Sequence, residues 1–77
     1  MSIRVKAAGH LRQRMPGKQA ELSVEPAQAG TVADLLAILG LQESQVWIVR
    51  VNGANVQPDH PLAEGDFVEL FPLVGGG

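Results

Sequence analysis

The sequence predicts an α+β domain, a mixed sheet of four to five strands with one main helix packed on one face. Three observations predict it. Short runs of period-two alternation mark strands at both ends and in the middle of the chain. One run alone, beginning at Thr31, spaces its apolar residues as a helix does. The chain has 77 residues, one small domain that buries only about 60% of its unfolded surface. A single short helix is marginal in water, so it must pack on the sheet.

Ile3, Val5 and Ala7 alternate with Arg4, Lys6 and Ala8, a half-buried first strand. Residues 9–19 contain Met15-Pro16-Gly17, a turn signal, and read as a loop. Leu22 and Val24 alternate with Glu21, Ser23 and Glu25 in a second strand that Pro26 ends, and the two strands make an antiparallel hairpin with a loose loop. Thr31 is an N-cap, and Asp34 three residues on completes a capping box. Val32, Leu35, Leu36 and Leu39 follow at helical spacing, and Gly40 supplies the left-handed stop.

The run Val46-Trp47-Ile48-Val49-Arg50-Val51 is rich in β-branched residues and reads as a central third strand. Asn52-Gly53 is a strong hairpin signal, with a short return strand at residues 54–57. Residues 58–62 turn, with Leu62 as an apolar anchor, and Gly65-Asp66 turns again. The last strand runs from Phe67 to Phe71 and ends at Pro72. Val68 and Leu70 face the core with Val5, Leu22, Leu35, Leu39 and Val49, and Trp47 is expected there too because of the area it has to bury. Phe67, Glu69 and Phe71 share the other face. With the last strand paired to the first inside the sheet, this is the β-grasp, or ubiquitin-like, architecture. The domain spans residues 1–72, and 73–77 form a flexible C-terminal tail ending in glycines.

Composition excludes several chemistries. The chain has no cysteine, hence no disulfide, thiolate metal site or cysteine nucleophile. His10 and His60 stand alone, far short of a metal ligand set. No phosphate-loop motif, nucleophile elbow or carboxylate pair is present, so no catalytic residue is assigned. No run is long enough to span a membrane, and the N-terminus lacks the layout of a signal peptide, so the expectation is a cytoplasmic protein. Residues 1–18 carry five basic side chains and no acid, while residues 41–77 carry five acids against Arg50. The total of −2 weighs against nucleic acid as a partner.

Gly75-Gly76-Gly77 closes the chain, where no turn has to be made. A terminal carboxylate is ionised at neutral pH and is a poor electrophile until activated. A tail without side chains threads a narrow channel, and residues 73–77 extended reach roughly 17 Å.

Asn52-Gly53, Leu62, Gly65-Asp66, Val68, Phe71-Pro72, Val74 and the terminal glycines, with Ile3-Arg4-Val5-Lys6 and the Thr31 helix start, make the whole chain resemble the MoaD/ThiS family of ubiquitin-like sulfur carriers. The resemblance implies a protein co-substrate, not an enzyme. An E1-like adenylating enzyme uses ATP and magnesium to activate Gly77, and this chain binds neither itself. A sulfur donor then converts the adenylate to a thiocarboxylate. A sulfur-accepting biosynthetic enzyme takes the sulfur; recipients in the family include molybdopterin synthase, thiazole synthase, cysteine synthases and tRNA-thiolating enzymes. Gly75 and Gly76 would thread into the partner, and Phe71, Leu73 and Val74 would dock it. Two departures stand out. The family usually ends in two glycines, so Gly77 is either tolerated or removed to expose Gly76. Ala7-Ala8 stand where many members carry bulkier apolar residues. Two other readings use the same fold. A ubiquitin-like modifier would join lysines through the same tail, and a β-grasp binding module working through residues 4–18 would not need Gly76 and Gly77.

Overall fold

The computed structural model describes residues 2–72. Five strands form one mixed sheet: β1 (Ile3–Ala7), β2 (Glu21–Val24), β3 (Val46–Val51), β4 (Ala54–Val56) and β5 (Phe67–Pro72), in the spatial order β2-β1-β5-β3-β4. The helix α1 (Val32–Leu39) lies between β2 and β3 in sequence. β1 and β5 run parallel, and the other neighbours are antiparallel. This is the β-grasp fold, with the last strand at the centre of the sheet. β3, expected from its long apolar run to be a central strand, lies inside the sheet between β5 and β4. Only Val49 and Val51 of β3 are buried, because one face of the sheet has no covering layer.

One face of the sheet holds the core. Ile3, Val5, Val68 and Leu70 are fully buried against Val32, Leu35 and Leu36 of the helix. Each such side chain stabilises the fold by about 1.5–3 kcal/mol. Leu22, expected in this core, is only half-buried, since β2 is an edge strand. Residues 9–18, expected as an open loop, instead form the 3-10 segments Gly9–Arg14 and Pro16–Lys18. Leu11, inside the first segment, and Met15, the extended residue between the two, both enter the core. Among the described residues no polar side chain is buried.

The helix start leaves no orphan amide. Thr31 Oγ1 accepts from the Asp34 N–H at 3.3 Å, and Asp34 Oδ2 accepts from the Thr31 N–H at 3.2 Å. The amides of Val32 and Ala33 donate to the carbonyls of His60 and Pro58 at 3.0 and 2.8 Å. The capping box is local, but the other two donors are satisfied by a loop from the far side of the sheet. At the C-terminal end Gly40 adopts φ +76° and stops the helix.

The turn after β3 and the turn before β5 are clamped together. Asn52 takes φ +52° and Gly53 φ +87°, as a two-residue hairpin turn of the primed kind demands. The Asn52 side-chain amide donates to Asp66 Oδ1 at 2.9 Å, and its oxygen accepts from the Phe67 N–H at 3.0 Å. The other Asp66 oxygen accepts from the Ala63 N–H at 2.8 Å. This fixes where β5 starts, and so which of its residues reach its far end. No helix among the described residues is long and apolar enough to cross a membrane.

Candidate functional site

The uncovered face of the sheet carries alternate residues of the same strands. In register across it stand Glu21, Lys6, Glu69, Arg50 and Asn55, a row whose charges alternate in sign from β2 to β3. Opposite charges facing each other across strands are mildly stabilising. Arg4 Nη2 bonds Glu21 Oε2 at 2.8 Å, and its guanidinium lies 5.4 Å from the centre of the Phe67 ring. The N-terminal positive charge is therefore divided. Arg4 and Lys6 stand on this mixed face, and Arg12, Arg14 and Lys18 lie exposed on the 3-10 segments.

Beyond the charged row, toward the end of β5, the face turns apolar. A hollow of about 390 Å³ is lined by Ala8, Gly9, Trp47, Ile48, Arg50, Phe71 and Pro72. Its floor exists because Ala8 and Gly9 have almost no side chain. Of the two small residues that stand where the family resemblance suggested bulkier ones, Ala8 lines this hollow and Ala7 is buried in the core. Phe71 is half-buried in the wall, and Arg50 stacks on it with the guanidinium 5.1 Å from the ring centre. Arg50 also donates from Nε to Asn55 Oδ1 at 3.2 Å. Among the residues lining the hollow, Arg50 alone is charged, and a guanidinium neither accepts nor readily gives up a proton. The site is chemically suited to binding.

Trp47 overturns its sequence expectation. It is 62% exposed and stands on the surface instead of in the core. Strict alternation back from Val51 and Val49 points Trp47 inward. The pairing slips between Val46 and Ile48, however, with Val46 opposite Pro72 and Ile48 opposite Phe71. The extra residue is Trp47, and the bulge turns it outward. Pro72 cannot donate to a sheet ladder and belongs at such an irregularity. Trp47 then forms a ridge between the apolar hollow and a second one of about 360 Å³, bounded by Leu36, Val46, Val56, Pro58 and Glu43.

Of the residues singled out from the sequence, Phe71 falls in the hollow. Leu73, Val74, Gly75, Gly76 and Gly77 lie outside the described residues. Sequence reasoning missed Trp47, Ile48, Arg50 and the Ala8-Gly9 floor as parts of this surface. The available signals were a single arginine inside an apolar strand and a proline opposite its start.

Comparisons with known proteins agree with this architecture. The ThiS family model matches residues 9–77. SAMP1 from Haloferax volcanii is 25% identical with a TM-score of 0.74, and the match covers all of both chains. A chain from the protein–protein complex of subunits 1 and 2 of the molybdopterin-converting factor from Helicobacter pylori is 26% identical, with a TM-score of 0.64 and full coverage of both. Two curated relatives, enoyl-[acyl-carrier-protein] reductases [NADH] of two Pseudomonas putida strains, are 40% identical over 55 residues. That segment is 71% of this chain but only 12% of the relatives' length.

Proposed function

The chain belongs to the ThiS family of ubiquitin-like β-grasp proteins, and from that premise we propose that it is a sulfur carrier activated at Gly77. The observation that carries the reading is the placement of β5. The strand runs through the middle of the sheet and ends at Pro72 beside the apolar hollow, which on this reading is the docking surface that precedes the last five residues. A partner seated on Phe71, Ile48 and Trp47 receives the glycines at a set distance from its own wall.

The chemistry is acyl activation. A carboxylate oxygen of Gly77 attacks the α-phosphorus of ATP, pyrophosphate leaves, and an acyl-adenylate forms in the active site of the E1-like partner, which holds the magnesium. Hydrosulfide, or a donor delivering sulfur at that oxidation level, attacks the acyl carbon, and AMP leaves with the carboxyl oxygen. A thiocarboxylate remains and passes its sulfur to a biosynthetic enzyme. In this cycle the chain is a co-substrate. The domain, residues 1–72, is the handle and 73–77 the reactive arm, with Leu73 and Val74 extending the docking surface toward Gly75 and Gly76.

The test is the intact mass after incubation with ATP, magnesium, sulfide and the cognate adenylating enzyme. One oxygen replaced by one sulfur, mapped to Gly77, is the expected result. No change, with the enzyme active on another carrier, overturns the reading. Conjugates on lysines, seen on a denaturing gel in the absence of sulfide, would assign the tail to protein modification instead.

A further inference from the structure

We propose that Gly9 is a positioning residue for activation: by lacking a side chain it seats Pro72, the last residue of β5, and so sets the point from which residues 73–77 are presented. The inference rests on the carrier reading and deepens it.

The argument begins where β1 ends. The Ala8 N–H donates to the Leu70 carbonyl at 2.9 Å, so the chain stays tied to β5 one residue beyond the strand. Gly9 then turns with φ +57°, a conformation that glycine adopts freely and β-carbon-bearing residues resist. The 3-10 segment that follows packs against β5 and is anchored by Leu11 and Met15, both buried. A β-carbon at Gly9 would lie 3.3 Å from Pro72 Cγ, closer than ordinary van der Waals contact.

Pro72 borders the hollow on one side. It is buried, and on its other side it is in register with Val46 at the bulge of β3. Its ring locks φ. A push from Gly9 that ring pucker does not take up therefore reaches the backbone of Pro72, the residue to which the tail is bonded. The glycines at 40, 53 and 65 provide the contrast. They too have positive φ, but a β-carbon on any of them meets nothing within 4 Å. Gly9 thus combines the torsional demand of the others with a contact to the root of the tail.

The experiment is a double-mutant cycle of wild type, Gly9→Ala, Pro72→Ala and the double variant, with Gly40→Ala as the torsional control. Melting temperature, kcat and KM for pyrophosphate release by the adenylating enzyme, and the amide NMR shifts of Leu73 and Val74 are measured. Both single glycine variants are expected to lose about 4–8 °C in Tm, as strain from a positive φ would cause in a domain of this size. Misplacement by about 1 Å can cost a hundredfold in rate, so a smaller displacement should lower kcat about three- to tenfold. That loss is expected in Gly9→Ala and not in Gly40→Ala, with a shift of the two amides. The double variant should return to within about twofold of Pro72→Ala, because the contacting ring atoms are gone.

Equal kcat in Gly9→Ala and Gly40→Ala, with unmoved amides, overturns the inference, as does a loss that Pro72→Ala fails to relieve. Should Gly9→Ala not fold, Gly9→Asn places the same β-carbon in a residue that tolerates the left-handed region better. If wild type itself is never activated, the carrier reading fails, and the Leu73 and Val74 amides alone still decide whether Gly9 seats Pro72.

Discussion

The two faces of the sheet are built from the same strands and have opposite compositions. Toward the helix, Ile3, Val5, Val68, Leu70, Val49 and Val51 are at most 7% exposed. Away from it, their sequence neighbours Arg4, Lys6, Phe67, Glu69, Arg50 and Phe71 remain in contact with solvent. Alternation along a strand puts these sets one residue apart. A chain this short has only one layer of helix, which covers one face. The covered face supplies stability, and the uncovered face is the one our proposal assigns to recognition. The apolar surface on it gathers at one end, where β5 stops and the tail begins.

The strongest test of this division compares adjacent residues. Leu70→Ala should destabilise by about 3 kcal/mol, a large part of what so small a core supplies. Urea denaturation should show the midpoint falling while partner affinity, measured on the folded fraction, stays unchanged. Phe71→Asp should do the reverse. It should weaken binding to the adenylating partner tenfold or more, an effect of about 1.4–2 kcal/mol, with a melting temperature near that of wild type. If Phe71→Asp unfolds the domain, the uncovered face is also structural and the comparison collapses.

Smaller effects sharpen it. Asp66→Ala removes the acceptor shared by the Asn52 side chain and the Ala63 amide. It should cost about 1–2 kcal/mol in denaturant unfolding. It should also accelerate hydrogen exchange at the start of β5, because the clamp between the two turns is lost. Arg4→Ala is expected to cost only about 0.5 kcal/mol. Its partner Glu21 is on the surface, and exposed ion pairs contribute little. A larger loss, persisting at high salt, would show that the Phe67 ring under Arg4 contributes to stability and is not only part of the surface.

Much of this was legible in the sequence. The strands, the helix from Val32 to Leu39, its capping box and the Asn52-Gly53 turn follow from periodicity and turn chemistry, which are local, and the pairing of β5 with β1 was expected from the architecture they imply. Periodicity also gives the division of β5 into two faces, which put Phe71 on the side away from the core.

What only the tertiary structure decided depends on contacts between distant segments. Trp47 was expected inside, but a slip in pairing against Pro72 turned it outward, and a slip of one residue reverses every side chain beyond it. Leu11 and Met15 entered the core because the segment after β1 crosses the end of β5, which no local pattern around Gly9 requires. The helix borrowed two carbonyls from residues 58 and 60, and Asn52 found Asp66. The hollow at the end of β5 arises in the same way, since Ala8, Ile48 and Phe71 become a surface only when segments from the start, middle and end of the chain are brought side by side. Alternation selects a residue's face, while register and crossing selects its neighbours, and a binding surface is made of neighbours.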